Sequence, residues 1–165
     1  IITEQKEIFL GVLTADCVPI LFSDLSRRVT AVVHAGWRGT MAGLVAKMVA
    51  HLRDRYHVEL DALEVALGPA IGPCCYEIQN DVSAPLLAKW KGFTEQSLQS
   101  RNGKQFLDLR TLNTLQLQES GVPPAQIFTL GPCTACASDE FYSYRRDGVP
   151  GVKETGRQLS FAGWL

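Results

Sequence analysis

Two residues invite a chemical reading first: Cys17, in the run LTADCVPILF (13–22), and His34, which opens HAGWRGT (34–40). Each falls near the end of a strand-like segment, and a tight connection between consecutive strands would bring the two together. A thiolate beside an imidazole serves two chemistries. It is a nucleophile whose pKa the imidazole lowers, or one of two ligands to a soft-to-borderline metal such as zinc. A plain structural reading stands beside both, with Cys17 as a small buried apolar residue and His34 as a hydrogen-bonded core residue. Asp16 directly precedes the thiol, an acid in a stretch otherwise suited to a buried strand.

The surroundings of His34 add an anion reading. In HAGWRGT the backbone must turn from strand to helix, and Gly36 and Gly39 permit dihedrals that other residues resist. The helix that follows presents free N–H groups and the positive end of its dipole, and Arg38 stands alongside, a combination suited to phosphate. The phosphate loop pattern G-x-x-x-x-G-K is absent. Arg145 and Arg146, by the turn in SYRRDG (143–148), would bind an anionic substrate or pair with Glu140 and Asp147. Cys133 and Cys136 have C-x-x-C spacing, but Cys74 and Cys75 are adjacent, so a zinc site of four cysteines would need an unusual geometry. His51 and His57 fall on or after an exposed helix face and read as solvated.

The elements that must position these groups follow from periodicity. Residues 8–14, 18–23 and 27–34 are rich in β-branched and large apolar residues and read as three strands, with Asp24, Leu25 and Ser26 as a hairpin-like break. Leu44, Val45, Met48, Val49 and Leu52 recur at helical spacing, which predicts one helix over about 40–56 with Thr40 or a residue just before it as N-cap. Residues 63–67 read as a strand that runs into the irregular GPAIGPCCYEI. A helix over 80–90 capped by Asn80 or Asp81, an exposed loop over 91–104 and a third helix capped by Asp108 and ended by Gly121 come next. Residues 127–130 and 157–165 read as strands around a turn-rich stretch. Strands and helices intersperse without regular βαβ alternation, which predicts a mixed α/β fold with helices packed outside the sheet.

Composition narrows the partners. The 165 residues are 46% hydrophobic and 20% charged, as in an ordinary globular domain, and fit one domain with its own core. A net charge of −1 without basic clusters speaks against nucleic acid and against an acidic membrane surface, leaving a small molecule as the expected partner. No apolar run approaches the roughly 20 residues that cross a bilayer. The N-terminus lacks a secretory layout and the five cysteines are odd in number, so a cytoplasmic protein with reduced thiols is expected. The chain starts without Met and directly in strand-like sequence, which suggests the later part of a longer protein.

Four motifs in order, GVLTADCVPILF, HAGWRGT, GPAIGPCCYEI and CTACASDEFYSYRRDG with TGRQLSF, make the sequence resemble the YfiH or laccase-domain family across essentially its whole length. That family was historically called multicopper polyphenol oxidoreductase and is described as purine nucleoside phosphorylase with adenosine deaminase activity. The resemblance implies a layered α/β/β/α fold, similar to cytotoxic necrotizing factor-type toxins that use a Cys-His pair as deamidases. It also implies a zinc site whose ligands are Cys17, His34 and a second His from an earlier Q-V-H-G-type motif. That His has no counterpart here, since His51 and His57 follow His34, which matches an absent N-terminal part of a single 165-residue YfiH-like domain.

The implied function is phosphorolysis of adenosine- or inosine-type nucleosides and deamination of adenosine, with purine nucleosides and phosphate as partners. Cys17, His34 and Asp16 are the expected catalytic residues; Arg38, Gly39 and Arg145 are the expected substrate-binding ones. A monomer or small homo-oligomer is expected. The rivals are a metal-free cysteine hydrolase with Cys17 as nucleophile and His34 as base, and a copper-dependent phenol oxidase. Multicopper centres need many His ligands, and this chain has three. A non-enzymatic binding module is a further alternative.

Overall fold

A computed structural model of the chain describes residues 1–148 and 155–165. Its strands, in chain order, are β1 (Ile2–Thr3), β2 (Phe9–Thr14), β3 (Val18–Asp24), β4 (Val29–Ala35), β5 (Glu64–Leu67), β6 (Glu77–Ile78), β7 (Leu98–Arg101), β8 (Lys104–Leu107), β9 (Ile127–Thr129) and β10 (Gln158–Gly163). The helices are α1 (Trp37–Met41), α2 (Leu44–Tyr56), α3 (Asn80–Ser97), α4 (Leu109–Glu119) and α5 (Tyr144–Asp147). The last three residues of the turn-rich stretch, 149–151, lie outside the described residues.

The central sheet runs β1-β4-β3-β5-β9; β5 and β9 are parallel and the other pairs antiparallel. Mixed α/β is therefore the class, with several sheets, as the interspersed pattern predicts. The β3–β4 hairpin closes where the sequence places a polar break. Asp24 is buried there, and its Oδ1 accepts from the Ser26 N–H (2.8 Å), the Ser26 hydroxyl (2.7 Å) and the Arg27 N–H (3.1 Å). An acid at that position satisfies the turn's own donors through Oδ1, while Oδ2 is buried without a partner among the described residues.

Strand alternation sorts the sheet into two faces. Val18, Ile20 and Phe22 of β3 lie opposite Ala35, Val33 and Ala31 of β4, and these join Val45, Val49 and Leu52 of α2 and Leu112 and Leu117 of α4 in one core. The opposite face carries Val32 and His34, and β2 and β10 pack on that side of β3 and β4 as an antiparallel ribbon. The ribbon's own outer face leaves Phe9, Leu13, Leu159 and Phe161 exposed.

Two helices depart from expectation. The single helix over 40–56 is instead α1 and α2, broken at Gly43, whose φ of 70° favours glycine. A Cβ there would also stand 3.0 Å from the Trp90 ring. The same indole donates to the Met41 carbonyl at 3.0 Å, taking up an acceptor that the break sets free. Thr40 is not the cap. Gly36 holds that position, and Thr40 is buried inside α1, accepting from Asn113 Nδ2 of α4 at 3.0 Å. Helix α3 is longer than expected and starts after Gln79 rather than at an Asn80 or Asp81 cap, with a kink at Trp90.

The expected loop over 91–104 is the end of α3 followed by the β7–β8 hairpin. Asn102 and Gly103 take φ of 51° and 74°, the pair of left-handed residues that a two-residue hairpin turn needs. Helix α4 matches its reading. Asp108 caps it by accepting from the Arg110 and Thr111 N–H groups, and Gly121, with φ of 94°, follows its end.

Candidate functional site

Cys17 lies one residue before β3 and extends its register, opposite Gly36. The register pairs Val18 with Ala35 and Pro19 with His34, so alternation puts His34 on the sheet face away from α2 and α4, with Gly36 two residues further on. Gly36 is small for a reason. A Cβ on it would stand 2.8 Å from Cys17 Sγ. The two candidate ligands also share an electrostatic neighbour, the Arg157 guanidinium. Burial and, next, the adjacent Asp16 push the Cys17 thiol above its ordinary value, against a smaller pull from Arg157. Burial and Arg157 both lower the His34 imidazole, which favours its neutral form.

Asp16 is the hub of the site. It is 8% exposed and adopts φ of 85°, which an Asp tolerates better than most residues. Its Oδ1 accepts from the Thr134 hydroxyl at 2.7 Å, its Oδ2 from the Arg145 N–H at 2.6 Å, and its carbonyl from the Ile71 N–H at 2.9 Å. One residue, through its carboxylate and its carbonyl, therefore ties the segment that carries Cys17 to the segments around 71, 134 and 145.

Those ties shape a cavity of about 320 Å³, within the size range of small-molecule sites. Asp16, Cys17, Arg38 and Arg145 all line it, with Trp37 and Tyr76 as aromatic walls. The Arg38 guanidinium sits 4.3 Å over the Trp37 ring. That of Arg145 lies 5.1 Å from the Tyr76 ring and donates to the Glu77 carbonyl at 2.8 Å. His34 and Gly39 do not line this cavity. Gly39 sits within α1, where a Cβ would meet only ordinary contacts, 3.4 Å to Leu44 and 3.6 Å to the His34 carbonyl. Helix α1 has only five residues, and the positive groups that line the cavity are the guanidiniums of Arg38 and Arg145. Arg146 pairs with Asp147 at 2.7 Å and does not line the cavity. His51 and His57 are exposed, on α2 and at its C-cap.

The sequence reading sets a four-cysteine zinc site aside as needing an unusual geometry, yet the structure brings the four cysteines together in a second cluster. The sulfurs of Cys74, Cys75, Cys133 and Cys136 all lie within 4.8 Å of one another, a group able to hold a metal. The Cys133 thiol is raised by burial, but backbone N–H groups around it, led by that of Gly72, which donates to its sulfur, bring it down to about 7. Burial pushes Cys74 up to about 11 and raises Cys75 as well. The C-x-x-C spacing was the visible signal. Its pairing with an adjacent Cys-Cys was not.

Fold and site together define a mixed α/β protein with a cavity lined by Asp16, Cys17, Arg38 and Arg145. The chain belongs to the family described as multi-copper polyphenol oxidoreductase laccase, whose model matches residues 1–165. It is 39% identical over 164 residues to the purine nucleoside phosphorylase YlmD of Geobacillus stearothermophilus, covering 98% of this chain and 58% of that protein. It is 38% identical over 152 residues to the adenosine deaminase RL5 of an unknown prokaryotic organism, covering 90% of this chain and 57% of that one. Among solved structures, the YfiH protein of Bacillus licheniformis superposes with a TM-score of 0.91 at 33% identity, over 99% of this chain and 60% of that one. The chain thus spans less than two thirds of the length of these relatives. Among the described residues no helix is long and apolar enough to cross a membrane.

Proposed function

We propose that the whole protein is a zinc-dependent cytoplasmic enzyme that cleaves purine nucleosides with phosphate and deaminates adenosine, using the cavity lined by Asp16, Cys17, Arg38 and Arg145. The observation that carries this reading is the convergence of those four residues on one aromatic-walled cavity. The names of the similar phosphorylase and deaminase support it.

Cys17 and His34 fit a metal, because a thiol and a neutral imidazole stand at the same end of one hairpin. Zinc held there supplies Lewis acidity and lowers the pKa of a bound water. A third ligand, from a part of the whole protein outside these 165 residues, completes the set in this reading. The remaining work falls to the chain's own groups. Trp37 and Tyr76 offer flat apolar faces to a purine. Arg38 and Arg145 hold phosphate while one of its oxygens bonds to the anomeric carbon and the glycosidic C–N bond breaks, the base leaving with a proton. Asp16, with both oxygens engaged, positions Cys17 and Arg145 rather than transferring a proton.

The metal-free hydrolase is less well supported. An activated nucleophilic cysteine has a lowered pKa, whereas burial raises that of Cys17. Copper oxidase chemistry, which the family description suggests, lacks ligands here: the helices pack on the face of the sheet opposite His34, which separates His51 and His57 from it.

Arg38→Ala in the full-length protein tests the assignment. Loss of one charged hydrogen-bonding partner, worth about 1.5–3 kcal/mol, predicts a fall in phosphorolytic kcat/KM of about tenfold or more, with deamination changed several-fold less. Equal losses in both reactions contradict the anion role. Gly36→Ala makes a second prediction. Its Cβ displaces Cys17 Sγ, and zinc affinity measured by competition with a chromophoric chelator falls about 10–100-fold, the scale of a disturbed ligand support.

A further inference from the structure

The four-cysteine cluster is built by two tight turns. In one, the Gly72 carbonyl accepts from the Cys75 and Tyr76 N–H groups, each at 3.0 Å; in the other, the Cys133 carbonyl accepts from Cys136 at 3.1 Å and Ala137 at 3.0 Å. The turns are joined to each other. The Thr134 N–H donates to the Ala70 carbonyl at 3.1 Å, and the Gly72 N–H to Cys133 Sγ at 3.2 Å. A Cβ on Gly72 would stand 3.3 Å from both Cys133 Cβ and Cys74 Sγ, so a glycine is what lets the turns approach. Cys136 Sγ then lies 3.4 Å from that of Cys74 and 3.3 Å from that of Cys75.

Packing does not explain this convergence. Cys74 and Cys136 are exposed and Cys75 is half-buried, whereas a thiol kept for its apolar character is normally among the most buried residues. We propose that these four sulfurs bind one zinc ion in a structural site separate from Cys17 and His34. Zinc–sulfur bonds of about 2.3 Å place tetrahedral ligands about 3.8 Å apart, inside the range of 3.3 to 4.8 Å found here. So narrow a group suits a single ion rather than a multi-iron cluster, and four thiolates close its coordination shell.

The charge environment agrees. Arg101 donates to the carbonyls of Pro73 (2.6 Å) and Cys74 (3.3 Å) on one turn, and Arg146 to those of Thr134 (3.0 Å) and Ala135 (3.4 Å) on the other. Each turn thus carries a guanidinium that offsets the negative charge of a zinc tetrathiolate. The consequence reaches the cavity. One turn ends in Tyr76, a cavity wall, and the other holds Thr134, the donor to Asp16, so the ion staples two of the loops that shape the site.

The test counts zinc by elemental analysis in full-length protein purified under reducing conditions, as wild type, as the Cys17→Ala/His34→Ala double variant and as Cys136→Ser. The double variant is expected to keep about one zinc per chain, because a four-cysteine site does not need the catalytic pair, and Cys136→Ser to lose about one. A zinc-free double variant overturns the proposal, and because that variant lacks the catalytic ligands, the result stands apart from whether the catalytic reading holds. Should Cys136→Ser fail to fold, the unmodified protein supplies the answer through mass-mapped alkylation. Labelling of Cys74 and Cys136 is expected to rise at least about tenfold once a strong chelator is added. Equal labelling with and without chelator, or disulfide-linked peptides among the four cysteines, overturns the site.

Discussion

Cys17→Ala in the full-length protein is expected to lower both phosphorolysis and deamination by at least about 10²-fold, since even the partners that merely orient a metal ligand command 10–100-fold. The fold should be retained. Cys17 is half-buried at the start of β3, outside the helix-facing core, and its removal leaves space beside Gly36 rather than a void among packed side chains. Steady-state kinetics with product chromatography, alongside a urea transition, separates the two effects. Loss of activity with an unchanged midpoint fits a residue that acts on the reaction. A variant of near wild-type activity removes Cys17 from the chemistry.

The second large effect belongs to Asp16. Asp16→Ala strands two donors, the Thr134 hydroxyl and the Arg145 N–H, and forces alanine into a left-handed φ of 85°. Hydrogen bonds to a charged group are worth about 1.5–3 kcal/mol each, so a stability loss of about 3–5 kcal/mol is expected, read as a lower urea midpoint at constant slope. Activity falls with it, because Arg145 and the loop around Thr134 lose their common anchor. Asp16→Asn should lose less. Its single carbonyl oxygen satisfies one donor, and its amide meets the other with an N–H. A fully stable alanine variant would show that the carboxylate is not the anchor described.

How much of this was legible depends on where the interaction partners sit in the chain. The Asp24 turn, the Asp108 cap and the apolar stripe of α2 are local devices, and periodicity with side-chain chemistry suffices to find them. The β3–β4 hairpin that carries His34 opposite Pro19 was legible by the same logic, since two strands and a short turn fix its register. The β7–β8 hairpin carried the Asn102-Gly103 signal of its turn, but polar flanks such as LQSR disguised the strands as a loop. The single helix read over 40–56 runs through Gly43, because what breaks it there, a left-handed residue against the Trp90 ring, involves a partner from another helix.

The rest was not local at all. Asp16 binds Thr134 and Arg145, 118 and 129 residues away, and neither type nor spacing announces those bonds. The cysteine cluster depends on the isolated bridge between Ala70 and Cys133, which continues the parallel pairing of β5 with β9 between segments more than 60 residues apart in the chain.

The central claim is that the cavity beside Cys17 carries out phosphate-dependent cleavage of purine nucleosides. The most direct test incubates zinc-loaded full-length protein with adenosine, with and without inorganic phosphate, and follows the products by chromatography. The account predicts adenine and ribose 1-phosphate only when phosphate is present, and inosine in both cases. Absence of any phosphate-dependent base release from the folded, zinc-loaded protein would contradict it.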